Sequence, residues 1–135
     1  MQRAQTAAIL LIAFLILFES VSAESTINRI AVLGCIRQEQ VVPALMNYVR
    51  AEPDLLLWVG DNVYADTEND IGFIAQSYQK LARKPGFKPL LESTPYLATW
   101  DDHDFGRNDG GADYPLKRES QKLFVNFWGL ESTIP

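Results

Sequence analysis

An α/β fold of the form β-α-β-α-β is predicted by two features of the sequence: three short apolar runs, and segments of helical periodicity that alternate with them. The runs are Ile30 to Leu33, Leu55 to Val59 and Tyr96 to Trp100, and each gives way to a loop carrying glycine or acidic residues. The composition agrees: 135 residues that are 47% hydrophobic and 21% charged make one globular domain at most, and not a disordered chain.

Residues 1–23 read as a targeting segment. Arg3 gives a weakly positive start, Ala7 to Phe18 is apolar throughout, and Val21-Ser22-Ala23 has the small residues a signal peptidase requires. The apolar run falls short of the roughly 20 residues that cross a bilayer, so a cleaved signal is expected and a membrane anchor is the alternative. There is no Arg-Arg pair and no cysteine at the cleavage point. Export by the general secretory route follows, with a secreted or periplasmic chain beginning near Glu24.

The first strand, Ile30-Ala31-Val32-Leu33, ends in Gly34 and delivers Cys35, the single cysteine. An internal disulfide is thereby excluded, which leaves a spectator thiol, an intermolecular bridge or a thiolate ligand. A helix follows, with Pro43 suited to its first turn, an apolar face of Leu45, Met46, Tyr48 and Val49, and Pro53 as its stop. Leu55 to Val59 shows no polar alternation, which fits a strand buried on both faces. It leads into Gly60-Asp61-Asn62-Val63-Tyr64-Ala65-Asp66. From Asp70 onward Ile71, Ile74, Tyr78 and Leu81 recur at helical spacing until Pro85-Gly86, and the stripe reads as core packing. Lys88 to Thr94 reads as a proline-bounded connection. The third strand, Tyr96 to Trp100, empties into Asp101-Asp102-His103-Asp104, where three carboxylates surround the only histidine.

Charge sets limits on partners. A net charge of −5 disfavours nucleic-acid backbones, which need clustered Lys and Arg. Nine of the 17 acids fall in two loops, as Asp61, Asp66, Glu68 and Asp70 and as Asp101, Asp102, Asp104, Asp109 and Asp113. Like charges held that close call for a counter-cation. Cys35, Asp61 and Asp102 each lie one to three residues beyond the carboxyl end of a different strand. Loops from neighbouring parallel strands converge there, so residues distant in sequence become neighbours and a thiolate, a carboxylate near a phenol, and a carboxylate beside imidazole make a ligand set.

Gly34-Cys35, Gly60-Asp61-Asn62-Val63-Tyr64 and Ala98-Thr99-Trp100-Asp101-Asp102-His103-Asp104 followed by Asn108-Asp109 resemble the PhoD-like alkaline phosphatases, a branch of the calcineurin-like metallophosphoesterases. Pro53-Asp54-Leu55, Pro85-Gly86-Phe87 and the helix from Tyr114 to Gly129 extend the resemblance over nearly all of residues 24–135. It implies a metallophosphoesterase-like α/β/β/α sandwich, of which only the first β-α-β-α-β part is expected here, and hydrolysis of phosphomonoesters or phosphodiesters with ferric iron and calcium, other divalent cations being the alternative. Cys35, Asp61 and Tyr64 match the iron ligands, with Asp61 bridging to a second cation. Asp102 matches a metal-side position where the wider superfamily has Asn. His103 matches the histidine facing the leaving group, and Asp104 is expected to orient it. Arg37, Arg107 and Asn108 are weaker candidates on the substrate side and Asp66 is a candidate as weak as Asn108, since a solvated surface or a turn accounts for them equally well.

The resemblance implies two cations about 3.5–4 Å apart that clamp the phosphoryl oxygens and activate water. It also implies more chain, because the family's domain continues through a second sheet bearing further Asp and His ligands, whereas this sequence stops at Pro135. Residues 24–135 are therefore expected to be the amino-terminal part of the domain, to need the missing half for a complete site, and to turn over an aryl phosphate near background when alone. Two other classes compete: an exported calcium-binding module without chemistry, and a catalytically inactive fragment. Calcium storage needs neither thiolate nor phenolate, which favours the enzyme.

Overall fold

The computed structural model describes residues 26–130, so the expected leader at residues 1–23 lies outside the described residues. It is an α/β arrangement of three parallel strands and five helices. Among the described residues no helix is long and apolar enough to cross a membrane.

The strands β1 (Ile30–Leu33), β2 (Leu55–Val59) and β3 (Tyr96–Thr99) lie in the order β1-β2-β3. Ala31 sits opposite Leu56 and Leu33 opposite Trp58, while Leu56 in turn sits opposite Tyr96 and Trp58 opposite Ala98. These residues form the inner face, with Ala31, Leu33, Leu56 and Trp58 buried and Tyr96 and Ala98 packed against them. The other face is open: Ile30, Val32, Val59 and Leu97 are each more than half exposed. This corrects the expectation that β2 is buried on both sides. A strand order without reversal, joined by the right-handed crossovers that parallel strands favour, brings every connecting helix to the same face.

Helix α1 (Pro43–Ala51) starts on Pro43, whose missing N–H is no loss in a first turn, and ends at Glu52 in the left-handed region just before Pro53. Helix α2 (Ile71–Ala82) is capped by Asp70, whose carboxylate accepts the Phe73 N–H at 3.1 Å. Helix α3 (Phe87–Ser93) replaces the expected proline-bounded connection. Pro89 falls in its first turn, where an N–H would have no partner within the helix, so the proline does not break it. Helix α4 (Asp102–Phe105) is a single turn, and α5 (Lys117–Trp128) closes on Gly129. One core joins the inner face of the sheet to Leu45 of α1, Ile74, Tyr78 and Leu81 of α2, Phe87 and Leu90 of α3, and Phe124 and Trp128 of α5. Trp58 anchors it, with its ring centroid 4.9 Å from that of Trp128 and 5.6 Å from that of Phe87.

Candidate metal centre

The carboxyl ends of the three strands are tied together by backbone bonds and by two side-chain amides. The Cys35 N–H donates to the Gly60 carbonyl at 3.3 Å and the Ile36 N–H to the Asp61 carbonyl at 2.8 Å, joining the end of β1 to that of β2. The Asn62 side-chain amide donates to the Thr99 carbonyl at 2.9 Å, joining β2 to β3. Gln38 adds a two-point clamp, donating to the Tyr64 carbonyl at 2.7 Å and accepting the Tyr64 N–H at 2.8 Å. Gly60, at φ +102°, lets the chain turn where a Cβ would stand 2.7 Å from that of Asp101.

Cys35 and Asp61 follow glycines and both lie in the left-handed region, at φ 51° and 50°. For residues other than glycine this backbone costs on the order of 1–2 kcal/mol, and it turns both side chains onto one patch. The Cys35 thiol donates to Asp61 Oδ2 at 3.7 Å and the Tyr64 hydroxyl donates to the same oxygen at 3.0 Å. The other oxygen of Asp61 is buried without a hydrogen-bond partner. Burial, and then the Asp61 carboxylate, push the Tyr64 phenol above its ordinary pKa, so a phenolate there requires a cation to offset both effects.

Asp61, Asp102 and His103 each offer a ligand atom, all within 4.8 Å of one another. The Asp102 carboxylate accepts the Asp109 N–H at 2.6 Å and the His103 N–H at 2.9 Å. The first of these contacts does most to hold it below the usual carboxylate range. Two donor sets therefore share Asp61: thiol, phenol and carboxylate on one side, and two carboxylates with imidazole on the other. The thiol, phenol and carboxylate of the first set are of the kind that suits a ferric ion, whereas the imidazole of the second departs from the all-oxygen set that calcium takes, leaving Asp61 and Asp102 as its oxygen donors.

The imidazole has a different partner from the one expected. His103 Nδ1 lies 2.8 Å from Asp66 Oδ1, and the same carboxylate oxygen accepts the Asn108 N–H at 2.8 Å. The Tyr64 ring packs on the imidazole with centroids 4.2 Å apart. Asp66 accordingly fixes Nδ1 as the protonated nitrogen and leaves Nε2 free. Asp104 is fully buried and faces the core, where its carboxylate receives the N–H groups of Asn62, Val63 and Asp101, the Asn62 side-chain amide at 3.1 Å and the Tyr78 hydroxyl at 2.9 Å. Burial raises its pKa against the pull of those donors. Its place is the hub that holds the loop after β2 against α4; the expected role in orienting His103 falls to Asp66. The Arg107 guanidinium pairs with Glu68 at 3.3 Å and with Asp113 at 2.6 Å. Asn108 contributes its backbone to Asp66, while its side chain donates to Asp109 at 2.7 Å. Arg37 stands with its guanidinium 4.5 Å over the Tyr64 ring.

Set beside known proteins, the chain matches no protein-family model, no curated protein and no solved structure.

Proposed function

We propose that this chain carries one side of a metal-dependent phosphoesterase site of the PhoD-like kind, acting on phosphomonoesters or phosphodiesters, with Fe3+ and Ca2+ as its cations. The observation that carries the reading is the shared carboxylate: Asp61 touches both Cys35 and Tyr64, keeps a buried oxygen without a hydrogen-bond partner, and lies within ligand reach of Asp102 and His103. A calcium store would have no use for the thiol and the phenol in that set. The finer architecture, an α/β/β/α sandwich in which a second sheet covers the open face, is part of the same proposal and is supported by the apolar residues on that face. So is export directed by residues 1–23.

Cys35, Asp61 and Tyr64 would hold the ferric ion, and Asp61 and Asp102 the second cation, with His103 beside it. Bound there, the cations supply Lewis acidity toward the phosphoryl oxygens and acidify the attacking water. The protein's own part is positional. Asp66 holds Nδ1–H and so fixes the orientation of the His103 ring, turning Nε2 to the leaving oxygen; the doubly protonated ring can deliver its Nε2 proton there and is left as the neutral Nδ1–H imidazole. The Tyr64 ring supports the imidazole from its face, and Asp104, through Asn62 and Val63, holds the loop that carries Asp61 and Tyr64.

Titrating the full chain with ferric iron tests the proposal. A visible phenolate-to-iron absorption band is expected, absent in Tyr64→Phe and displaced in Cys35→Ser. A chain that stays colourless and binds only calcium, unaffected by either substitution, is instead the cation-binding module.

A further inference from the structure

The two edges of the sheet, β1 and β3, are not equally guarded. The Leu56 N–H donates to the Pro95 carbonyl at 2.9 Å, and with Leu56 opposite Tyr96 and Trp58 opposite Ala98 this turns the N–H and C=O of Leu97 toward β2. The N–H and C=O groups of Tyr96 and Ala98 therefore point outward, and among the described residues none of them has a partner. On β1, by contrast, the Tyr48 hydroxyl of α1 donates to the Val32 carbonyl at 3.3 Å. Beside β3 lies a groove of about 190 Å³, with Ala98 and Trp100 on one wall, Gln121, Phe124 and Val125 of α5 on the other, and no charged side chain in its lining. The strand itself, Tyr96-Leu97-Ala98-Thr99, has none of the charges or prolines that keep natural edges from pairing. Such an edge takes an extended strand, because only another main chain offers N–H and C=O groups at the matching spacing.

We propose that the occupant is β3 of a second copy of this chain, paired antiparallel about Leu97, so that two chains share one sheet. In that register Tyr96 of each copy exchanges both N–H and C=O bonds with Ala98 of the other, which satisfies every outward group of the two residues and is isologous, as a two-fold pair requires. Leu97 then lies opposite its own counterpart in a non-hydrogen-bonded pair, the closer kind, on the open face where it is 62% exposed. Charge selects the direction. Asp101, Asp102 and Asp104 follow β3 in each copy, so parallel pairing would set acid beside acid, whereas antiparallel pairing sends the two acidic loops to opposite ends. A contact through one strand of four residues is small, so the pair forms and parts with concentration. Pairing uses no residue of the candidate metal centre and stands whatever that centre binds.

The test is oxidative cross-linking of the full chain in a Cys35→Ser background, where an introduced thiol is the only one. Non-hydrogen-bonded neighbours on antiparallel strands have Cα atoms ~4.5 Å apart, within the ~4.4–6.8 Å that a disulfide spans. Leu97→Cys should therefore form a covalent dimer about tenfold or more faster than Val59→Cys, which shares the open face but lies one strand inward, or Thr99→Cys, which lies off the two-fold axis, as proximity in a preformed pair provides. Equal rates at the three positions mean unselective packing through the apolar face and overturn the pairing, as does the absence of dimer in Leu97→Cys. Hydrogen exchange of the unsubstituted chain reads the same contact. The Tyr96 and Ala98 amides should exchange severalfold more slowly as the protein is concentrated, while the Leu97 amide, already bonded to β2, stays unchanged. Exchange at Tyr96 and Ala98 that is fast at every concentration, or slow at every concentration because residues 131–135 lie along β3, also overturns the pairing.

Discussion

Asp104→Ala is expected to unfold the chain or bring it to the edge of unfolding. The carboxylate accepts from five donors in a fully buried place: three backbone N–H groups, the Asn62 amide and the Tyr78 hydroxyl. Removing one partner of a buried charged network costs about 3–5 kcal/mol because the groups left behind are unsatisfied. Whole domains of this size are stable by only about 5–15 kcal/mol. Thermal unfolding followed by circular dichroism should show a fall in Tm on the order of 15 °C or more, or no cooperative transition at all. Tyr78→Phe withdraws a single donor and should cost about 1 kcal/mol. A mild effect of Asp104→Ala, equal to that of Tyr78→Phe, would mean that the carboxylate is not the hub described.

His103→Ala is expected to have the largest effect on chemistry. In any preparation competent to hydrolyse an aryl phosphate, turnover should fall roughly 10²–10⁴-fold, the usual contribution of a positioned acid. Folding should be spared, since the ring is held by the surface of Tyr64 and by Asp66, which is itself half exposed, and not by the core. Asp66→Ala should lower turnover by about 10–100-fold, as loss of an orienting partner does, with KM little changed. Asp66→Asn, whose amide oxygen can still accept the Nδ1–H hydrogen bond, should recover part of it. Full activity in Asp66→Ala would show that the imidazole needs no orienting partner, and loss of bound cation together with activity in His103→Ala would make the histidine a ligand and not the acid.

The parallel β-α-β core was legible because its signals were local: short apolar runs, a proline at the head of α1, apolar residues at helical spacing along α2, and glycine where chains turn. The convergence of Cys35, Asp61 and Asp102 was legible too, since the carboxyl ends of adjacent parallel strands have to meet. What escaped was side-chain direction. Asp104 follows His103 and looked like its partner, but the two belong to a single helical turn, α4, on which consecutive side chains diverge by about 100°. One therefore enters the core while the other meets Asp66, a residue that sequence alone could assign only to a surface loop. The paired partners of Arg107 were hidden for a similar reason, because Glu68 and Asp113 reach it from separate loops. Gln38 and Asn62, which clamp the strand ends, carry no pattern in sequence that separates them from surface amides. The open face of the sheet depends on strand order, and a buried run of five apolar residues reads alike whether one side is covered or two.

Paramagnetic broadening by Mn2+ tests the central claim, that three strand ends form a single cation site around Asp61. Amide resonances of the full, isotope-labelled chain should be lost together at 35–36, at 61–64 and at 102–103 at substoichiometric Mn2+, and the loss should be abolished by Asp61→Asn. The steep distance dependence of the effect makes it a direct report of convergence. Broadening confined to the acidic loop at 109–113, or spread evenly over the exposed acids and untouched by Asp61→Asn, would contradict the site.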